Sequence, residues 1–325
     1  MPLSEPRSAN IITFSGSLAT STIAMALPDT AIRAIVSELQ DDVPALQACS
    51  QLSKAWLLPA NELLFAEVCV SSDERCQEFL NLLDEKSLSF AKHVKKLILA
   101  LGDDEQWVRL GKADMVLIAA SMPRLSSLVL WAVCWVRPGT AKLRAKEQQV
   151  VATVAAHHGY THRKTLQSLL VHALYGLVTQ EGCFELDVDP DYAMNVNPRD
   201  IVELLSPFER IVDLKIAHEP SPWANKDDSA PLVFPDPKAV ALDPPPEIGS
   251  LWLSPAQSSA NILSLFRDVS GLHKVRKFSI LYSARDLRSL RVLKKILLVP
   301  GHLAIHVLGL RLELPSDIGP VPKRA

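Results

Sequence analysis

A short apolar pattern that recurs along the chain restricts the fold more than any other feature. Three apolar residues with the spacing apolar-x-x-apolar-x-apolar first occur at Val94, Leu97 and Leu99. The middle positions of the successive copies are Leu97, Leu128, Leu169, Leu214, Leu251, Phe278 and His306, the last of which is a degraded copy. Segments with helical spacing lie between copies, for example 262–269 and 287–296. Short strands that alternate with helices predict a parallel sheet.

The residues between the apolar positions distinguish two architectures. Strands that are covered on both faces, as in a doubly wound sheet, read as almost unbroken apolar runs. These copies instead retain polar pairs such as Lys95-Lys96 and Ser126-Ser127. One face of each strand is therefore expected to meet solvent, which favours a leucine-rich-repeat solenoid. The solenoid is irregular, because the step between copies ranges from 27 residues (Leu251 to Phe278) to 45 (Leu169 to Leu214).

The stretch 27–65 predicts three short helices. The first has Ile32, Ile35, Val36 and Leu39 on one face, and the second has Leu46, Cys49, Leu52 and Trp56. Pro28 suits the first turn of the first helix, Asp42 can cap the second, and Pro59 is expected to open the third. A bundle of this size cannot bury its own apolar surface fully. Part of that surface is expected to pack on the rest of the chain or on another protein.

This segment resembles an F-box, particularly those of fungal F-box-like proteins. The resemblance rests on Leu27-Pro28, the helix through Leu39, Asp41-Asp42 and the sequence Leu-Ser-Lys-Ala-Trp at 52–56. Lys54 stands where the family usually has arginine, and Asp29 replaces the commoner glutamate. With the repeats, the chain resembles an F-box protein with degenerate leucine-rich repeats, an α/β chain in which a three-helix module precedes an irregular solenoid of parallel strands.

The resemblance implies a non-catalytic adaptor without a cofactor. The F-box-like module would dock on the Skp-type adaptor of a cullin-containing ubiquitin ligase, and the repeats would bind a target protein inside the cytoplasm or nucleus. The alternative is a protein-interaction scaffold independent of any ligase, with the module as a solenoid cap. The side chains expected to contact the Skp-type adaptor are Leu27, Pro28, Ile32, Ile35 and Leu46.

The sequence divides into five expected regions. They are a flexible leader (1–25), the F-box-like module (26–70), the repeat domain (71–314), a Pro-rich loop within that domain (218–248) and a flexible tail (315–325). The loop contains three successive prolines at 244–246, which exclude a helix interior or a central strand.

Overall composition argues against several classes of protein. The formal net charge of −2 gives no basic footprint for nucleic acid or an anionic membrane. The sequence has no run of 18 apolar residues, so we expect no membrane span. Five cysteines, without a CxxC pair, are expected to be free thiols rather than zinc ligands.

Candidate catalytic and metal-binding residues are few. The sequence has no phosphate-binding glycine loop, GxSxG or HExxH motif. His157, His158 and His162 suggest a metal hydrolase, but no nearby carboxylate or cysteine completes the site. The alternating aspartates at 187, 189 and 191 lack the glycine and distal glutamate of a calcium loop. Trp131 and Trp135 fit either a binding groove or the core.

Overall fold

The structure is a computed structural model that describes residues 27–85, 89–100, 107–179, 198–217, 246–253, 277–283 and 307–313. The chain is an α/β protein with an N-terminal helical region and a sheet of parallel strands, as the sequence predicts. The predicted leader, the tail and residues 218–245 of the predicted Pro-rich loop lie outside the described residues.

Three helices form the N-terminal module: α1 (Asp29–Glu38), α2 (Val43–Leu52) and α3 (Lys54–Leu64). Asp42 caps α2 as predicted, since its Oδ1 accepts a hydrogen bond from the backbone N–H of Ala45 at 3.0 Å. The prediction that Pro59 opens the third helix is wrong. α3 begins at Lys54 and holds Pro59 in its interior, so Trp56 belongs to α3 rather than to α2.

The module has a small core of its own. Ile32, Val36 and Leu46 are buried together, and partly buried side chains surround them: Leu39, Trp56, Leu63 and Leu64. The module ends before the sheet begins. Residues 67–70, which the sequence assigned to the module, form the first strand of the sheet.

In the described part of the chain, nine parallel strands form one sheet. They are β1 (Glu67–Val70), β2 (Lys96–Ala100), β3 (Val108–Leu110), β4 (Ser127–Pro138), β5 (Lys164–Thr179), β6 (Phe208–Ala217), β7 (Glu247–Leu253), β8 (Lys277–Ser283) and β9 (Val307–Glu313). Their spatial order is β1-β2-β4-β5-β6-β7-β8-β9, and β3 pairs with β4 further along that strand. The order follows the chain and does not reverse, whereas a doubly wound sheet contains a reversal point. β1 and β3 were not predicted.

Within the described ranges, four helices connect strands: α4 (Asp73–Asp84), α5 (Lys112–Ser121), α6 (Ala141–His157) and α7 (Pro198–Leu205). α5 contacts α4, α6 and α7, so the helices form a layer. Ser72 and Thr140 cap α4 and α6 with their side-chain oxygens.

The register of the strands aligns the predicted apolar positions in rows. Leu97, Leu128, Leu169, Leu214 and Leu251 occupy one row, and Leu99, Leu130, Val171, Ile216 and Leu253 occupy the next. All ten are buried in the main core. The first five copies of the pattern are therefore confirmed as buried positions of parallel strands.

The last copy was placed in the wrong frame. The sequence put His306 at its middle position, but β9 starts at Val307 and Leu308 pairs with Phe278 of β8. The correct copy is shifted by two residues, because Leu310 and not Leu308 takes the third position opposite Ile280.

Strand β4 contains a backbone irregularity at Ala132. This residue has φ 54°, in the left-handed region that side chains with a Cβ rarely adopt. The pairing of β4 with β5 passes from Trp131–His172 directly to Val133–Leu174. Beyond this point the alternation ends, and the residues from Ala132 to Trp135 are all buried.

We expect Ala132→Gly to leave the free energy of unfolding unchanged or to raise it by up to about 1 kcal/mol, because glycine removes the steric cost of the left-handed conformation. Ala100→Gly, in the regular strand β2, is the matched control and should lower that free energy by about 0.5–1 kcal/mol. Urea unfolding of both variants measures the difference. Equal destabilisation by the two substitutions would contradict the strained geometry at Ala132.

Candidate functional site

The structure separates the five residues predicted to contact a Skp-type adaptor. Ile32 and Leu46 are 2% and 1% exposed and belong to the module's own core. Leu27 and Ile35 are 41% and 42% exposed, and Pro28 is also exposed. Only Leu27, Pro28 and Ile35 are therefore available to a partner in this conformation.

Further apolar side chains on the module are exposed. Leu52 is 64% exposed, although its spacing predicts one shared face with Leu46 and Cys49, which are buried. The large apolar residues that the described part of the chain exposes on the module are Leu27, Ile35, Val43, Leu52, Leu57 and Leu58, whereas only Leu82, Trp131 and Val150 are exposed elsewhere in it. We call these six module residues the module apolar surface. The module thus carries six of the nine large apolar side chains that are exposed in the described residues.

The module is joined to the sheet by a carboxylate that two arginines share. Glu62 of α3 accepts hydrogen bonds from Arg33 of α1 at 3.0 Å and from Arg124, ahead of β4, at 3.2 Å. Partial burial acts to raise the pKa of Glu62, but the two guanidinium groups outweigh it, so the pKa lies below its ordinary value. Close by in the chain, the Phe65 and Phe90 rings stack with centroids 4.5 Å apart.

We expect Glu62→Gln to lower the free energy of unfolding at pH 7 by about 0.5–1 kcal/mol, since both arginines are half-exposed. A carboxyl with a lowered pKa in the folded state stabilises the fold above its unfolded pKa, and that stabilisation is lost as the pH falls through the folded pKa. The difference between wild type and variant should therefore vanish in acid. Unfolding in urea at pH 7 and at pH 3 measures it.

The matched control is Glu67→Gln, which removes an exposed pair with Lys96. It should have a smaller effect at pH 7, because this carboxylate has one partner rather than two. A loss for Glu62→Gln that persists unchanged at pH 3 would contradict the electrostatic account of the junction.

The face of the sheet opposite the buried rows is a second candidate site. We call it the open face. Its row through the middle of the strands consists of Ile98, Val129, Leu170, Lys215 and Trp252, and the row beyond it consists of Ala100, Trp131, His172 and Ala217. These side chains are half-buried or exposed, and none belongs to the hydrophobic core. The open face is thus a mostly apolar surface in partial contact with solvent.

The two tryptophans of β4 have different roles. Trp135 is fully buried in the main core. Trp131 is 39% exposed, and its ring stacks on His172 with centroids 4.3 Å apart and an interplanar angle of 28°. Of the two alternatives that the sequence left open, the core is confirmed for Trp135, whereas Trp131 lies outside the core.

A groove of about 440 Å³ lies beside the carboxyl ends of β3 and β4. Two residues that line it, Arg109 and Asp114, form hydrogen bonds that hold neighbouring elements together. Asp73 of α4 accepts hydrogen bonds from the backbone N–H of Arg109 at 2.8 Å and from its Nε at 2.7 Å. Asp114 accepts a hydrogen bond from the backbone N–H of Gly111 at 2.7 Å, and burial raises the pKa of its carboxyl. These bonds fix α4 and α5 against β3, which is a structural role.

The histidine cluster is divided by the structure. The His158 side chain is buried between the ends of three helices, with Nδ1 3.2 Å from Ser121 Oγ and Nε2 3.5 Å from Asp84 Oδ1. Ser121, His158 and Asp84 are the residue types of a catalytic triad, in which the serine needs N–H donors nearby to stabilise an oxyanion. Ser121 instead ends α5, and the carboxyl end of a helix presents carbonyl groups. The set therefore ties α4, α5 and α6 together. Across the described residues, which include all three histidines, no three His, Cys, Asp or Glu side chains form a metal-binding group.

The cysteine thiols of the core are poor nucleophiles. Burial raises the pKa of both Cys76 and Cys134 to about 12, and nearby carboxylates add to the effect. Both thiols are therefore protonated at neutral pH. Cys49, Cys69, Cys76 and Cys134 are free, whereas Cys183 and the three alternating aspartates lie outside the described residues.

Comparison of the chain with models of known families and with curated proteins gives no match. None of the helices in the described ranges is both long enough and apolar enough to cross a bilayer.

Proposed function

We propose that the chain is the target-recognition subunit of a Skp-cullin-F-box type ubiquitin ligase. The observation that supports this most is the module apolar surface. The module has a core of its own, yet it leaves Leu27, Ile35 and Leu52 in solvent. Apolar side chains that the fold does not cover are expected to be covered by a partner. The Skp-type adaptor is the partner that the F-box resemblance implies.

The same proposal treats the sheet as an irregular leucine-rich-repeat solenoid. Strands in chain order, a repeated pair of buried rows and a partly solvated opposite face support this assignment. β4 and β5 extend over 12 and 16 residues, well past the third apolar position of their copies. The repeats are thus unequal in strand length as well as in spacing.

In this proposal the chain performs no chemistry itself. The module binds the Skp-type adaptor and the sheet binds a target protein, so that the target's lysines stay close to the ubiquitin-conjugating enzyme. Tethering raises their effective concentration, which accelerates transfer without a catalytic group on this chain. No cofactor is required.

The energetics limit how tightly the module can dock through apolar contacts alone. The six side chains are already about half buried, so covering the remainder supplies roughly 1 kcal/mol each, or on the order of 6 kcal/mol in total. Association costs about 4–15 kcal/mol. Polar contacts must therefore add to the apolar ones, and one charge placed within the surface should weaken docking strongly.

We expect Ile35→Asp to reduce the recovery of a purified Skp-type adaptor at least about tenfold in a pull-down, because it would bury an unpaired charge in the interface. Leu27→Ala with Pro28→Ala should reduce recovery less. Val150→Asp is the matched control, since Val150 is 49% exposed but lies on α6. It should recover as much adaptor as wild type.

All variants are first compared with wild type by circular dichroism and thermal melting, so that a loss of binding is not a loss of folding. Ile35 is exposed, and its substitution leaves the core intact. Equal recovery by Ile35→Asp and Val150→Asp would refute docking through the module. No recovery by a folded wild-type chain would refute it as well.

A ligase-independent scaffold is the second candidate, and a specific observation favours it. The module is fastened to the first strands of the sheet through Glu62, through the Phe65–Phe90 stack and through the Ala66 carbonyl, which accepts the Lys95 and Lys96 backbone N–H groups at 2.9 Å. A terminal cap of a solenoid needs such contacts. This alternative is favoured if the folded chain recovers no Skp-type adaptor while Phe65→Ala lowers the melting temperature of the whole chain.

A further inference from the structure

The stacked pair Trp131–His172 forms an aromatic platform on the open face. Its ring centroids are 4.3 Å apart, and Trp131 is 39% exposed. The neighbours in the same row are Ala100 on one side and Ala217 on the other, whose side chains are too short to cover the rings. An exposed tryptophan held by a neighbouring ring is typical of residues that contribute most to binding.

The adjacent row extends the platform into a wider apolar surface. Ile98, Val129 and Leu170 stand side by side on β2, β4 and β5, followed by Lys215 and Trp252 on β6 and β7. A ligand that covers Trp131 would therefore also meet aliphatic side chains. The binding contribution of such a surface comes from apolar area rather than from hydrogen bonds.

Charges on this part of the open face are already paired. Lys96 lies 3.0 Å from Glu67, and Lys215 lies 3.3 Å from Asp213. A phosphate or carboxylate that bound one of these lysines would have to displace Glu67 or Asp213. A cationic ligand that bound one of these carboxylates would have to displace Lys96 or Lys215. Electrostatic complementarity thus favours an uncharged ligand.

The size of the surface favours a short segment over a folded domain. Strands lie about 4.8 Å apart, so the centres of the five strands from β2 to β7 span about 19 Å, and the two rows lie about 7 Å apart along the strands. The rectangle between these centres, roughly 130 Å², is well below the roughly 800 Å² that each partner of a standard interface buries. An extended segment of about six residues covers 19 Å.

We propose that the open face binds a short, uncharged, extended segment of a partner protein that places an aromatic or proline side chain on the Trp131–His172 platform. The proposal rests on the proposed function in one respect: the sheet is the part of the chain that holds the target. It adds the chemical class of the recognised segment and the residue on which that segment is anchored.

A peptide selection on the full chain, without any ligase component, tests this proposal separately from docking of the module. A phage-displayed library of random dodecapeptides is selected on immobilised wild type and counter-selected on Trp131→Ala. Enriched peptides are synthesised with a fluorescent label, and their affinities are measured by anisotropy. The chains compared are wild type, Trp131→Ala, Trp131→Phe and the control Val150→Ala, which truncates an exposed apolar residue of α6.

We expect enrichment of uncharged sequences that contain an aromatic residue or proline. Trp131→Ala should weaken their binding at least about tenfold, Trp131→Phe should retain affinity to within about threefold, and Val150→Ala should have no effect. Trp131→Lys, which keeps an aliphatic stem, provides a second loss-of-ring variant whose folding is checked by melting.

Three results would overturn the proposal: no enrichment over an empty support, enrichment of charged sequences, or equal affinity for wild type and both loss-of-ring variants. Competition by a single-stranded oligonucleotide would also overturn it, because exposed aromatic rings stack on bases as well. A failed selection combined with adaptor recovery in the pull-down would remove this inference alone, and the reverse outcome would remove only the proposed function.

Discussion

The burial of two aliphatic rows between the sheet and its helices is the interaction on which the larger part of the fold depends. The rows through Leu97 and Leu99 continue across β4, β5, β6 and β7 without a polar residue. Each row places similar branched side chains about 4.8 Å apart, so every strand is packed against both of its neighbours. The helix layer covers this side, and the apolar area removed from water there outweighs any single hydrogen bond or ion pair in the molecule.

This one-sided burial also determines where binding can occur. Alternate side chains of a strand point to opposite faces of the sheet. The leucine residues that fill the buried face therefore do not restrict which side chains occupy the other face. The chain supplies small, polar and aliphatic side chains there, together with the Trp131–His172 stack. The irregularity at Ala132 then ends the alternation on β4, where the residues from Ala132 to Trp135 are all buried.

The buried rows could be predicted because the spacing apolar-x-x-apolar-x-apolar can be read within each strand's own sequence. The sequence could not show which apolar residues of the module are buried and which are exposed. Ile32 and Ile35 lie on one helical stripe, but only Ile32 is buried in the module's core. Trp131 and Trp135 likewise have identical local patterns, and tertiary packing alone separates them. β1 was missed because four residues carry too little periodicity, and Leu308 was placed at the third instead of the middle position because the preceding residues form a plausible alternative frame.

The shared carboxylate at Glu62 has a geometric consequence for the two binding surfaces that we propose. Its two arginines come from opposite sides of the junction, one from the helical module and one from the turn that leads into β4. The Arg33 bond lies within the module, so the Arg124 bond crosses to the sheet and acts together with the Phe65–Phe90 stack and the Ala66 carbonyl to hold the two parts in place. A protein bound to the module and a segment bound to the sheet would then be held at a fixed distance and in a fixed relative orientation.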